Sequence, residues 1–135
     1  MIKRSTTIAA IASATFALAV AGEALAQGGD PVAALYTNTI KETRADGSGA
    51  TFHFNADKTF KMMSPQRNMS GTYIVNAKGA VCITMTPPPG APAPATPPNP
   101  EANCVLLPTE VGATTDHMGG GPNGQMEKFE LVAGR

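Results

Sequence analysis

The chain has 135 residues, with ten Lys and Arg against ten Asp and Glu, and 42% of it is hydrophobic. Once the leader described below is removed, that length suits one domain and not two. The charges balance and no Lys or Arg falls between Lys78 and Lys128, which excludes the strongly basic patch of a nucleic-acid binder.

Residues 1–26 read as a signal peptide. Lys3 and Arg4 supply the charged start, Ile8 to Val20 is an uncharged apolar run, and Ala24-Leu25-Ala26 has the small-x-small form cut by a signal peptidase. The apolar run is shorter than the roughly twenty residues a spanning helix needs, so no membrane span is expected in the mature chain. No cysteine lies beside the cut to carry a lipid. The expected product, Gln27 to Arg135, is periplasmic or secreted.

Residues 27–135 are expected to form a single β domain. Asp30-Pro31 reads as an N-cap with proline at the first helical position, so a short helical turn is predicted up to Leu35. From Tyr36 the period becomes two: YTNTIKET, TFHFN, TFKMM, GTYIVN and AVCITM are short strand-like runs separated by turns such as RADGSG, NADK and NAKG. CVLL and MEKFELVA supply two more. About seven short strands with almost no helical periodicity predict an all-β antiparallel domain, a small barrel or a sandwich. Its expected inward set is Phe52, Phe54, Phe60, Tyr73, Val75, Val81, Ile83, Phe129 and Leu131. The strands are too short, and their second faces too polar, for a membrane-spanning barrel.

Several of these elements recur together elsewhere. Asn38-Thr39-Ile40, FHFNADKTF, Ser70-Gly71-Thr72-Tyr73, the two cysteines and the closing LVAGR give the chain a layout that resembles a group of small exported bacterial proteins of unknown function. Those proteins share an NT-I, F-x-x-D-x-T, G-T-aromatic, C…C, LVAGR order. Where they carry Trp after Gly-Thr this chain has Tyr73. The resemblance implies a compact β domain and brings no activity with it.

Cys82 and Cys104 are the only cysteines. In an exported chain they read as one disulfide, since their separation is far from C-x-x-C and no histidine cluster accompanies them. Paired across neighbouring strands, they set Ile83 opposite Asn103, Thr84 opposite Ala102 and Met85 opposite Glu101, until Pro87 and Pro100 end the ladder. The proline-rich loop between them, residues 87–100, then projects as a stiff arm about 20 Å long, folded back near Gly90 or Ala95-Thr96. Pro89, Pro94 and Pro97 each open a P-x-x-P run, the form that aromatic grooves recognise, here without a basic flank. The alternative is a solvated spacer.

The remaining candidates for chemistry are few. His53 and Asp57 span a turn with no serine beside them, and nothing assembles a nucleophile, a base and an orienting group. No catalysis and no cofactor are therefore expected. GGGPNG, residues 119–124, matches G-x-G-x-x-G formally but precedes a strand-like run where the phosphate-binding form needs a helix. Soft ligands His53, His117, Met118 and Met126 raise the possibility of copper, although methionine is ordinary core filler. Asn68-Met69-Ser70 is a glycosylation sequon that can arise by chance. Lys58, Lys61, Arg67 and Lys78 lie near successive turns, where they form either a cluster at one end or a solvated rim. The resulting expectation is an exported, non-catalytic domain whose loops bind a protein or a small apolar ligand. Its rivals are a periplasmic copper-binding protein and an unrecognised hydrolase.

Overall fold

The computed structural model describes residues 29–119 and 124–135; the expected signal peptide and residues 120–123 of the glycine run lie outside them. Eight antiparallel strands follow in chain order: β1 (Thr39–Arg44), β2 (Gly49–Phe54), β3 (Thr59–Met63), β4 (Asn68–Val75), β5 (Val81–Met85), β6 (Cys104–Val105), β7 (Thr114–Met118) and β8 (Met126–Val132). Their order in the sheet is β6-β5-β4-β3-β2-β1-β8-β7. Every neighbour in the chain is thus a neighbour in space except β6 and β7, and β8 returns to pair with β1. The sheet curls into a nearly closed up-and-down barrel with one seam, between β6 and β7. No helix of the described residues is long and apolar enough to cross a membrane.

Period two explains the interior. Residues of one parity point inward, giving the buried series Ile40 and Glu42 on β1, Ala50, Phe52 and Phe54 on β2, Phe60 and Met62 on β3, and Phe129 and Leu131 on β8. Tyr73 and Val81 are buried as expected, while Val75 and Ile83 pack against this core only partly buried. Four phenylalanine rings and Tyr73 form the central contacts; Phe54 meets Tyr73 edge to face at 5.1 Å. Gly71 is the flat spot that lets β4 pass over Phe60. A Cβ there would collide with the Thr84 carbonyl oxygen and come within 2.8 Å of the Phe60 ring.

One end of the barrel is capped. The predicted turn exists as a short 3-10 helix, Ala33–Leu35. Asp30 starts it, its Oδ1 accepting from Val32 N–H at 3.1 Å and its carbonyl from Ala33 N–H. Val32 and Leu35 thereby drop into the barrel and are almost fully buried. Asn38, Thr39, Asn55, Asp57, Tyr73 and Arg135 meet at this same end. Asn38 Oδ1 accepts from Gly134 N–H at 3.0 Å, and Thr39 Oγ1 donates to Gly134 O at 2.7 Å. Arg135 donates to Asn55 Oδ1 and to the Phe54 carbonyl. Tyr73 O–H donates to Asn55 O at 2.6 Å, and Asp57 Oδ1 accepts from the Thr59 N–H and hydroxyl. These contacts tie the chain together at that end of the barrel.

The opposite end and the seam stay open, and proline is the reason. The ladder from Cys82 was expected to run to Met85 opposite Glu101. Only Val81↔Val105 and Cys82↔Cys104 pair, with one further bond from Ile83 N–H to Asn103 O at 3.0 Å. Asn99 turns the chain aside, accepting from Glu101 N–H on its side chain and from Ala102 N–H on its backbone. Thr86 N–H donates to Ser70 O on β4 instead. Beyond Val105, Leu106-Leu107-Pro108 departs from the ladder, and Pro108 has no N–H to give it. β6 is therefore two residues long and cannot zip to β7. Among the described residues one bond bridges the gap, from Thr115 Oγ1 to Leu106 O at 2.7 Å.

The eighth strand, β7, replaces the expected count of seven. TTDHM has no apolar alternation, because it forms an edge whose inward residues, Thr115 and His117, stay half-buried.

Candidate functional site

Behind the seam lies a cavity of about 400 Å³. Ile40, Phe52, Phe54, Met62 and Phe129 form its back wall, and Ile83, Met85, Val105 and Leu107 its side. Asn103 and Cys104 on one lip and His117 and Met118 on the other frame the seam. The volume falls in the range of small-molecule sites, and the lining has their usual character, mostly apolar with a few convergent polar groups.

Those polar groups sit at the uncapped end. Arg44 and Glu127 reach the cavity from paired positions at the ends of β1 and β8. Glu42 lies one inward step deeper on β1 and is only 4% exposed. Arg44 Nε stands 2.6 Å from Glu42 Oε1 and 3.5 Å from Glu127 Oε1. The Glu42 contact is an ion pair whose N–H is not aimed at the oxygen, so Glu42 Oε1 is left without a hydrogen bond. Burial pushes the Glu42 carboxyl above its ordinary range; Arg44 opposes this and Glu127 adds to it. His117 is the register partner of Glu127 on β7 and faces the same side. Strict alternation from Ile40 puts Glu42 inside the barrel, so its place is legible from the period of β1 alone.

Cys82 and Cys104 form the expected disulfide, fixing the outer side of the β5–β6 pair. His53 and His117 are far apart in the fold, since His53 points outward at the capped end and His117 inward at the open end. His53 Nε2 lies 3.1 Å from Thr39 Oγ1, whose own proton goes to Gly134. The tautomer protonated at Nε2 satisfies both contacts. Burial, and then the nearby Arg135 and Lys61 charges, hold the His53 pKa below its usual range. Asp57 does not pair with His53, because its Oδ1 is taken by Thr59.

Met118 and Met126 are directly opposed across the β7–β8 hairpin and are 58% and 47% exposed. His117 faces away from them, on the other side of β7. The described residues contain no group of three or more His, Cys, Asp or Glu able to hold a metal ion. Gly119 leads out of β7 and Gly124 precedes β8, so the glycine run joins two strands.

The four basic candidates do not gather at one end. In a meander successive turns alternate between ends, so Lys58 and Lys78 lie at the capped end and Arg67 at the other, with Lys61 outward on β3. Lys58, in a left-handed conformation at φ 66, is also engaged. It donates to Tyr36 Oη at 3.2 Å, contacts Asp30 at 3.4 Å and sits over the Tyr73 ring. The Tyr36 hydroxyl, then the Val32 N–H, hold the Asp30 carboxyl below its usual range. Pro89, Pro94 and Pro97 are exposed, in a segment where residues 86–103 are all exposed. Gly90, at φ 83, reverses the chain there with Ala91 N–H donating to Pro88 O.

Compared with models of known protein families and with curated protein sequences, the chain matches none.

Proposed function

We propose that this is an exported binding protein that holds a small apolar ligand inside its barrel, entered between β6 and β7. The cavity of about 400 Å³ carries this reading. Its walls are phenylalanine, methionine and aliphatic side chains, its polar groups are confined to one end, and a two-residue β6 leaves it reachable from solvent. Such a site gains affinity by removing apolar ligand surface from water at about 25 cal/mol per Å². The experiment is native mass spectrometry of the protein purified from its own host. A co-purifying small molecule released by mild activation supports the reading; bare protein that also fails to take up any apolar probe contradicts it.

A second reading, copper binding, draws support from Met118 and Met126, whose thioethers suit copper(I) and which occupy directly opposed strand positions. Titration with copper(I) against a competing chelator tests it. Binding tighter than micromolar that is lost in Met118→Leu supports the reading, and weaker binding removes it.

A further inference from the structure

Arg44, His117 and Glu127 are the titratable side chains that line the cavity. The single guanidinium is shared, with its Nε 2.6 Å from Glu42 and 3.5 Å from Glu127. Arg44 is held closer to the buried Glu42 than to Glu127, so Glu127 is the lining carboxylate left to meet a ligand. Glu127 Oε1, 3.5 Å from Arg44 Nε against 2.6 Å for Glu42 Oε1, keeps acceptor capacity on the cavity side. Glu127 is the accessible one of the pair, its side chain 22% exposed against 3% for Glu42. Space beside it exists because residue 119 is glycine. A Cβ there would stand 2.8 Å from Glu127 Oε1.

Given that reading of the cavity, we infer that its ligand is a small amphiphile with a protonated amine head, seated with its tail among Phe52, Met62 and Phe129 and its ammonium against the Glu127 carboxylate. An ammonium brings donors and positive charge to the Glu127 carboxylate, which accepts hydrogen bonds and carries the opposite charge. A fatty carboxylate of the same length meets Glu127 directly and competes with Glu42 for Arg44. Like charges at that distance repel, and the low-dielectric wall behind them weakens screening. A neutral alcohol avoids the repulsion without gaining the attraction, so affinity should rank ammonium, alcohol, carboxylate.

The test uses decylammonium, decanol and decanoate, each displacing N-phenyl-1-naphthylamine from the full chain at pH 8 and low salt. Decylammonium is expected to bind about ten-fold tighter than decanoate, the ratio given by about 1.4 kcal/mol. Glu127→Gln should lower the ammonium affinity about ten-fold while leaving decanol within about two-fold. Gly119→Ala, which crowds the carboxylate without changing its charge, should weaken the ammonium more than the alcohol, and thermal melts establish that both variants are folded. Equal affinity for the three probes, preference for decanoate, or an ammonium affinity unmoved by Glu127→Gln overturns the amine assignment and leaves the cavity reading intact. Absence of saturable naphthylamine binding, with no probe retained in native mass spectrometry, overturns both.

Discussion

Arg135 reaches back across the fold to Asn55, its guanidinium donating to Asn55 Oδ1 at 2.9 Å and also to the Phe54 carbonyl. The same turn takes the Tyr73 hydroxyl, so three distant parts of the chain are tied at one point. Arg135→Ala removes two charge-assisted bonds and is expected to cost about 1–2 kcal/mol. In a domain of this size each kcal/mol lowers the melting temperature by about 4–8 °C. Asn55→Ala in the same background should add less than its own separate cost, because the two side chains share the contact. Calorimetry on the four proteins checks both statements.

Gly71 is required for steric reasons and not for its backbone freedom. Gly71→Ala sets a methyl group against the Thr84 carbonyl and the Phe60 ring, and a backbone oxygen cannot swing aside. The expected loss is about 3 kcal/mol, at the upper end for overpacking. Ala80→Gly, in the next strand connection, should cost about 1 kcal/mol. Urea denaturation of the pair separates collision from general fragility.

The Glu42–Arg44 pair makes stability depend on pH in a direction of its own. An acid whose folded pKa is raised binds its proton more tightly in the folded state, so its contribution falls as pH rises from the ordinary value of 4.5 through the raised one. Removing Arg44 takes away the charge that restrains this shift. Arg44→Ala should therefore cost about 1 kcal/mol at pH 8, low in the range because Arg44 is partly exposed, and little at pH 4.5. Asp30, Asp46 and Asp57, whose pKa values are lowered, contribute stability that is lost only as pH falls below about 3.8, outside this window. Urea melts of both proteins across pH 4.5–8 check the widening difference.

Reduction of the Cys82–Cys104 bridge should destabilise the protein by about 3.4 kcal/mol, the chain-entropy cost of reopening its loop. Deleting residues 88–99 shortens that loop, so reduction should cost about 0.7 kcal/mol less. The deletion by itself touches only exposed positions and should leave the oxidised protein within about 1 kcal/mol of the original. Denaturation with and without reductant gives all four values.

The strands were legible where one face is apolar and the other polar. Phe52 and Phe54, Phe60, and Phe129 and Leu131 announce their faces without help from the rest of the chain. β7 was not legible, since a seam strand with Thr115 and His117 inward needs no apolar residue. Val32 and Leu35 show no strand pattern either, because they cork the barrel from a 3-10 turn. The split of Lys58 and Lys78 from Arg67 between the two ends follows from meander topology, which spacing along the chain does not reveal. The proline segment was legible as an interruption, but its main consequence was not. By truncating β6 between Pro100 and Pro108 it leaves the barrel unsealed. The cavity behind that seam depends on closure radius and on the summed volume of side chains from seven strands, quantities that no local pattern carries.

The most direct test of a ligand-holding barrel is a fluorescence titration of the protein and of Met85→Trp with N-phenyl-1-naphthylamine. Met85 lines the cavity, and an indole there occupies the space the probe needs. The expected result is saturable one-to-one binding by the original protein and a loss of about ten-fold or more in the folded variant. Binding of equal strength to both proteins, or no saturable binding to the original, contradicts it.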